Sequence, residues 1–182
     1  RFSVSYEVTD GFHLKGATGR YFQFISQAET NLPTSINQDF WVLMGNENVP
    51  VLSAYHYVGG ASYVKNGWTL DAEVYRKDMQ GLIRADYENS MGASNLRSQW
   101  NYNYLITDGE GKASGLDVMI RKAWKPYTFT FNYSLATVKH QYDAINGGAH
   151  FYADNDQRHE LKFINEWHLH PWSFSVNWIY GS

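Results

Sequence analysis

The chain has 182 residues, and its composition excludes several classes of protein. A formal net charge of −3 argues against a nucleic-acid partner, which would favour a basic face. The chain has no cysteine for a disulfide or thiolate-metal framework, and no run approaches the roughly 18 apolar residues of a membrane helix. The unusual feature is the aromatic content of 17%, because aromatic side chains favour boundaries between apolar and aqueous surroundings.

Eight segments of alternating polar and apolar residues predict β-strands, because successive side chains of a strand point to opposite faces. The predicted strand pairs are 2–8 with 12–23, 53–64 with 68–84, 113–124 with 127–139, and 159–169 with 172–180. The last strand shows the pattern best, since every even position from Trp172 to Tyr180 is aromatic or branched apolar. Each strand therefore has one apolar face.

Short and long connections alternate along the chain. The short turns contain Asp10-Gly11, Asn66-Gly67, Lys125-Pro126 and His170-Pro171, and the long polar segments are 24–52, 85–112 and 140–158. Asp-Gly and Asn-Gly are strong hairpin signals, and proline fits a turn position that donates no ladder hydrogen bond. This alternation places all the tight turns on one side and all the long loops on the other, as in outer-membrane barrels.

Aromatic residues cluster beside the short turns, as an interfacial girdle requires. These residues are Phe12, Trp68, Trp124, Tyr127, Trp167 and Trp172. We therefore predict an all-β fold, an antiparallel up-and-down transmembrane β-barrel with the bilayer against its apolar face. The alternatives are a soluble β-sandwich and a lipocalin-like barrel. The polar faces favour the membrane barrel, because they carry mainly Ser, Thr and Asn where a soluble surface would carry many Lys and Glu.

Two cations share the apolar face. Arg76 follows the parity of Trp68, and Lys122 follows the parity of Trp124. Each is expected near a membrane boundary, where the cost of a charge falls to about 0 to 1 kcal/mol.

No pattern indicates catalysis or a cofactor. Asp154 and Asp156, with His150 and His159 nearby, are weak metal candidates, because the central Gly and closing Glu of a calcium loop are missing. A polar turn is the favoured interpretation. We predict no catalytic residues, since the inferred lipid face offers no Ser for a nucleophile. The glycines of 109–115 do not have the spacing of a phosphate loop, and they are expected to let the chain turn into a strand at Gly115.

Six short blocks in order resemble a known family. They are 1–6 (RFSVSY), 40–41 (FW), 53–60 (SAYHYVGG), 70–77 (LDAEVYRK), 111–117 (GKASGLD) and 154–159 (DNDQRH). The chain resembles the C-terminal part of the barrel of TonB-dependent outer-membrane receptors, particularly the Bacteroidetes type. The resemblance implies that residues 1–182 supply about eight strands of a 22-stranded barrel, as part of one transmembrane domain. The plug domain and the closing strands are expected outside this chain.

The resemblance also implies a function and partners. Extracellular loops would capture a nutrient, and uptake would follow when the TonB complex, acting through the plug, displaces it. A small molecule, a glycan or a peptide is the expected ligand, and a surface lipoprotein is a further candidate partner. The expected location is the bacterial outer membrane. The alternatives are a non-transporting barrel, acting as a structural anchor or a passive porin, and a soluble lectin-like β protein.

Ligand contacts are expected from aromatic residues in the long loops. The candidates are Trp41, Tyr87, Trp100, Tyr102, Tyr104, Tyr142, Phe151 and Tyr152. They could stack on a sugar, a siderophore or a macrocycle, or pack loop against loop. Packing is the favoured interpretation, because large loops bury their own side chains.

Overall fold

The fold is all-β, and a computed structural model describes residues 1–28, 40–85 and 105–182. The strands are β1 (Phe2–Thr9), β2 (Phe12–Gln23), β3 (Ile25–Ala28), β4 (Phe40–Leu43), β5 (Leu52–Lys65), β6 (Trp68–Ala85), β7 (Leu105–Trp124), β8 (Tyr127–Gln141), β9 (Phe151–Tyr152), β10 (His159–Leu169) and β11 (Trp172–Gly181). A 3₁₀ turn, Asn146–Gly148, precedes β9. No helix in these three ranges is long and apolar enough to cross a membrane.

One antiparallel sheet contains the eight predicted strands as a meander. Its order is β1-β2-β5-β6-β7-β8-β10-β11, and β9 pairs with the free end of β8. The predicted antiparallel, up-and-down architecture is confirmed. Within the described ranges β1 and β11 do not pair with each other, so the sheet is open.

The short turns have the predicted positions. Gly11 and Gly67 adopt φ values of 78° and 76°, and Asn66 adopts 52°. This is the left-handed region that Gly and Asn tolerate. The peptide bonds before Pro126 and Pro171 are both cis.

One strand boundary was predicted wrongly. The third predicted pair was expected to begin at Ala113, with the chain turning into the strand at Gly115. The strand instead starts at Leu105. The reason is non-local: β6 continues to Ala85 past an irregularity at Gly81, whose φ is 81°, and so offers a partner to the earlier residues of β7. Gly111 lies within this ladder under the side chains of its neighbours, so here glycine marks close packing.

The long segment 24–52 was predicted without strands and instead contains a small hairpin. Strand β3 pairs with β4, from Ile25 opposite Leu43 to Ala28 opposite Phe40. The hairpin contributes to a buried apolar cluster that also includes a residue of β6. The cluster consists of Ala28, Val42, Met44, Val49 and Ile83, with Leu52 packed against it. Four-residue strands of this kind depend on such packing, which alternation alone does not reveal.

The main sheet leaves its apolar side chains uncovered. The register aligns Ile120, Phe131, Phe163 and Trp178 across four strands on one face. Ring centroids of Phe131 and Phe163 are 4.9 Å apart, and those of Phe163 and Trp178 are 5.4 Å apart. Even so, Trp178 remains 52% exposed, and Val176 beside it 58%. A continuous exposed apolar face of this extent needs an apolar environment.

Candidate ligand-facing surface

The opposite face of the sheet is polar and would line the interior of a closed barrel. The register places Lys15 of β2, Gly60 of β5, Glu73 of β6 and Asp117 of β7 in one row across four strands. This row is the centre of the polar wall.

Lys15 reaches across a whole strand to make its ion pairs. Its Nζ lies 2.8 Å and 3.0 Å from the two carboxylate oxygens of Asp71 and 2.5 Å from Oε1 of Glu73. Both acids belong to β6, so the lysine side chain passes over β5. All three side chains keep between 24% and 35% of their surface exposed. Ion pairs this exposed contribute at most about 1 kcal/mol each, so their main effect is on the charge that the wall presents.

Gly60 makes this crossing possible. A Cβ at Gly60 would lie 2.6 Å from the carbonyl oxygen of Ala72, 2.9 Å from Cγ of Glu73 and 3.2 Å from Cε of Lys15. A side chain there would displace either the ladder or the ion pair. The neighbouring Gly59 points to the apolar face, and its Cβ would meet nothing within 4 Å.

Two carboxylates lie directly opposite each other beside the ion pairs. Glu73 pairs in register with Asp117. Two residue pairs further towards the long loops, the Tyr75 ring lies over Gly115, where a Cβ would be 2.6 Å from the Tyr75 hydroxyl oxygen. Farther along the Glu73 row, Glu160 forms an ion pair with Lys162. Fixed charges of both signs on a strand face suit a water-filled or polar-packed lumen.

The long segment after β8 folds back on the sheet through aromatic side chains. Tyr142 is 3% exposed and stacks on Phe151, with ring centroids 6.2 Å apart. The His140 ring stands edge-on to both rings. Gly109 leaves the space that the Tyr142 ring occupies, since a Cβ there would overlap the ring.

A carboxylate anchors the end of the same segment. The backbone N–H of Val138 donates to Oδ1 of Asp156 at 2.5 Å, and Nη2 of Arg158 lies 3.1 Å from Oδ2. The backbone hydrogen bond, followed by the bond to Arg158, holds the pKa of Asp156 below its ordinary value. Asp156 is therefore a structural carboxylate of this loop.

Tyr152 is the exposed aromatic residue of the loop. It is 53% exposed and lies opposite Lys139 in the short β8–β9 ladder. The Lys139 Nζ lies 5.0 Å from the ring centroid, and the guanidinium carbon of Arg158 lies 4.9 Å from it. Two cations thus flank one accessible ring.

The structure brings together three of the predicted ligand residues. Tyr142, Phe151 and Tyr152 share the 142–158 loop, where Tyr142 is used in packing and Tyr152 is open. Trp41 lies apart on β4, opposite Gln27, and is 71% exposed. The other four candidates, Tyr87, Trp100, Tyr102 and Tyr104, lie outside the described residues.

The two weak metal candidates have other partners. Asp154 lies 3.4 Å from Nη2 of Arg84, and Asp156 is held by Val138 and Arg158. Across residues 1–28, 40–85 and 105–182, no cluster of three or more His, Asp or Glu residues could hold a metal ion.

Polar residues on the apolar face are satisfied locally. Arg76 forms a two-pronged pair with Asp78, with Nε 3.0 Å from Oδ2 and Nη2 2.9 Å from Oδ1. Lys122 donates to the carbonyl oxygen of Asn66 at 2.8 Å and lies 4.7 Å from the Trp68 ring centroid. Both cations therefore have local partners, and their positions near the membrane boundaries stay predictions.

Several of these residues were not predicted from the sequence. The triad of Lys15, Asp71 and Glu73 spans two strand pairs. The sequence feature that could have indicated it is Gly60, a glycine inside an otherwise regular strand. Asn165 on the apolar face was also missed. Its Oδ1 accepts a hydrogen bond from the Tyr127 hydroxyl at 2.6 Å.

The two faces together define the class of protein. An antiparallel meander with an exposed apolar face, an aromatic boundary beside its tight turns and a charged opposite face is the wall of a transmembrane β-barrel. At that boundary the Tyr127 ring centroid lies 4.9 Å from that of Trp124 and 5.1 Å from that of Trp167.

Comparison with known proteins identifies the family. Residues 1–182 match the TonB dependent receptor-like β-barrel family, and the chain belongs to it. Members of this family are receptors and transporters of the bacterial outer membrane that interact with TonB and with their ligands, and they are not enzymes. This membership decides against the soluble alternatives. A search of curated proteins finds no match.

Proposed function

We propose that this chain forms part of the wall and outer vestibule of a receptor that imports a nutrient with energy from TonB. In this proposal it is the C-terminal part of a barrel of the Bacteroidetes type, and segments outside residues 1–182 supply the plug and the closing strands. The observation that carries the proposal is the polar wall, where Lys15, Asp71 and Glu73 hold ordered charge towards the lumen.

The long-loop side is the entrance in this proposal. Phe151 pairs with His140 on the lumenal parity, and the guanidinium carbon of Arg84 lies 5.8 Å from its ring centroid, whereas Tyr152 shares the outer parity of Lys139. In this proposal the Phe151 ring would take a ligand that offers a stacking face and a negative or hydroxyl-rich edge. Glycans, peptides and small chelating molecules have these properties, and a surface lipoprotein could present them. Tyr142 would support the Phe151 ring from beneath.

The wall then acts on transit. A ligand leaving the vestibule would pass the row of Lys15, Glu73 and Asp117 once the plug is displaced. Because these charges are held in place by the sheet, they would replace water around a polar ligand without having to rearrange.

A passive pore is the alternative that the same polar wall supports. The two functions differ in their need for energy. Uptake of cobalamin, siderophores, glycans and peptides is measured in a strain lacking the receptor and complemented with the full-length protein, with TonB intact or deleted. TonB-dependent uptake of one ligand class supports the proposal, and equal uptake without TonB supports the passive pore.

The wall itself is tested with paired substitutions. Glu73→Gln with Asp117→Asn removes two lumenal charges, and Asp10→Asn removes one from the tight turn between β1 and β2, outside the strands that form the wall. We expect the wall variant to change the uptake rate severalfold at normal surface expression, and Asp10→Asn to leave the rate unchanged. A wall variant that transports at the normal rate would contradict a role of this row in transit.

A further inference from the structure

Two lysines face each other on the outer side of the sheet. Lys112 of β7 pairs in register with Lys139 of β8, and both share the parity of the apolar face. They stand at the long-loop end, two positions beyond the pair of Ser114 with Thr137. Like charges directly opposite each other on neighbouring strands are destabilising unless something lies between them to neutralise the charge.

Their distance from the tight turns places them at the membrane surface. Lys112 is twelve residues from Trp124, and Lys139 is twelve residues from Tyr127. At 3.3 Å per residue and a tilt near 45°, this corresponds to a height of about 28 Å above the aromatic boundary. The apolar band of such barrels is about 25 Å tall, so both ammonium groups reach the headgroup level of the outer leaflet.

Two of the three neighbouring carboxylates are held by arginines, and the third, Glu110, lies on the same face two residues from Lys112. Asp78, opposite Lys112 on β6, is held by Arg76 in the two-pronged pair, and Asp156 is held by Arg158. In the part of the chain that the structure describes, neither lysine has a carboxylate within salt-bridge distance. Lys112 has Nε2 of His150 at 3.5 Å, and Lys139 lies over the Tyr152 ring.

Arg158 extends the basic surface. Its guanidinium carbon and the Lys139 Nζ both lie within 5.0 Å of the centroid of the Tyr152 ring, so the two cations are near neighbours. Against four cations, Arg76, Lys112, Lys139 and Arg158, the same surface holds three carboxylates, Asp78, Glu110 and Asp156. An excess of positive charge therefore faces outward at headgroup height.

We propose that Lys112 and Lys139 bind a phosphate group on the headgroup of an outer-leaflet lipid. A phosphate between the two ammonium groups would relieve their repulsion, and their height selects a lipid phosphate over one in solution. This site is on the opposite face from the lumen, so it depends on the outer-membrane location of the family and not on the proposed transport. It would fix the barrel's depth and orientation in the leaflet.

The test measures lipid retention. The full-length receptor is placed in phosphatidylcholine nanodiscs containing diphosphoryl lipid A, and lipid A still bound after release into detergent is counted by native mass spectrometry. For Lys112→Gln with Lys139→Gln we expect roughly tenfold or more loss of bound lipid A. The matched control is Lys125→Gln, which removes an exposed lysine from the tight turn between the same two strands and should retain lipid A fully.

Two further measurements test whether positive charge and the lipid phosphate are both required. Lys112→Arg with Lys139→Arg should keep the lipid, and dephosphorylated lipid A should not be retained by the wild type. Heat-modifiability on gels verifies that each variant is folded. If the double glutamine variant is not folded, lipid A retention is measured in Lys112→Gln, because that side chain is exposed and its replacement should not disturb folding. Retention that is unchanged in the folded glutamine variant would overturn the proposal. So would lysine-dependent binding of inorganic phosphate, in nanodiscs without lipid A, that matches the binding of lipid A.

Discussion

Asn165 and Tyr127 show how the apolar face accommodates a polar side chain. Asn165 lies two residues from Trp167, about 5 Å above the aromatic boundary at the tilt of such strands. An unsatisfied amide at this depth is costly, and the Tyr127 hydroxyl supplies a donor from the neighbouring strand at 2.6 Å. The pair is therefore a hydrogen bond with a structural role at the lipid boundary.

We expect Tyr127→Phe to lower the free energy of unfolding by about 1 to 3 kcal/mol, because it leaves the Asn165 carbonyl oxygen without this partner. The measurement is urea unfolding of the full-length receptor in lipid vesicles. In an Asn165→Leu background the same substitution should cost much less. Equal costs in both backgrounds would show that Tyr127 acts through its ring alone.

Asp156 is the titrating anchor of the 142–158 loop. Its pKa is lowered in the folded protein, chiefly by the hydrogen bond from the Val138 backbone N–H. The stabilisation it provides is therefore complete above the ordinary pKa of 3.8 and is lost as the pH falls through the lower, folded-state pKa. At neutral pH the loop is held in full.

We expect Asp156→Ala to reduce the hydrogen-exchange protection of the Val138 amide roughly tenfold at neutral pH, since a charged acceptor is lost. Asp154→Ala is the matched control, because that carboxylate is exposed and pairs with Arg84. In the wild type, protection at Val138 should persist at pH 5. Similar protection in Asp156→Ala and in the wild type would exclude this anchor.

At the scale of the strand, the position of each glycine decides which neighbouring side chains can cross over it. Gly60 and Gly59 are neighbours in β5, yet one lies under the Lys15 side chain and the other faces open space. Alternation places them on opposite faces, but only the register shows that the Lys15 side chain lies over Gly60.

The two glycines therefore predict opposite outcomes. Gly60→Ala should destabilise the receptor by about 1 to 3 kcal/mol, because its Cβ would crowd Ala72 and Glu73. Gly59→Ala should be neutral or stabilising by up to about 1 kcal/mol, since it lowers the entropy lost on folding. Thermal unfolding followed by circular dichroism measures both. A larger loss for Gly59→Ala would be incompatible with this assignment of faces.

The parity of β11 provides a second test of the faces. Val176 lies four residues from Trp172, near the middle of the apolar band, and Asn177 points to the other face. Val176→Arg should impair assembly at a cost of about 2 to 4 kcal/mol, and Asn177→Arg should assemble normally. The amount of heat-modifiable receptor in the membrane fraction is the readout. Equal impairment would contradict the faces proposed for this strand.

On the scale of the whole molecule, burial is unusual. In the described part of the chain the buried apolar cluster belongs to the long-loop side, where Val49 and Ala28 are 0% exposed, and the main sheet leaves large side chains such as Phe2 at 67%. A soluble domain would bury such side chains in a core, whereas here the hydrocarbon of the bilayer provides the apolar environment.

Orientation in the membrane can be tested by labelling. The chain has no cysteine, so single cysteines can be introduced at exposed positions on the two sides. In intact cells, a membrane-impermeant maleimide should label Ala149→Cys in the long loop and not Lys125→Cys in the tight turn, with labelling at least tenfold apart. Lysed cells should label both. Labelling of Lys125→Cys alone in intact cells would reverse the orientation.

Local sequence patterns were enough to predict the meander, but they did not reveal contacts between residues far apart in the sequence. The tight turns at Gly11 and Gly67 and the alternation of β11 depend on neighbours in sequence, so their predictions were confirmed. The early start of β7 and the β3–β4 hairpin depend on partners supplied by β6, and these were missed. The sequence identified the aromatic residues of the loop, but only the structure shows that Tyr142 is buried and Tyr152 is exposed.

Alternation specified the two faces and the two sides of this protein, because a strand's side chains alternate whatever its partners are. The register between strands decided which side chains from different strands meet to form a site. Lys15 meets Glu73 only because the β2–β5 pairing and the β5–β6 hairpin align at particular offsets, whereas Lys112 meets Lys139 across the single β7–β8 hairpin. Offsets between strands add up across the sheet, so the charge pattern of the wall exists only in the folded structure.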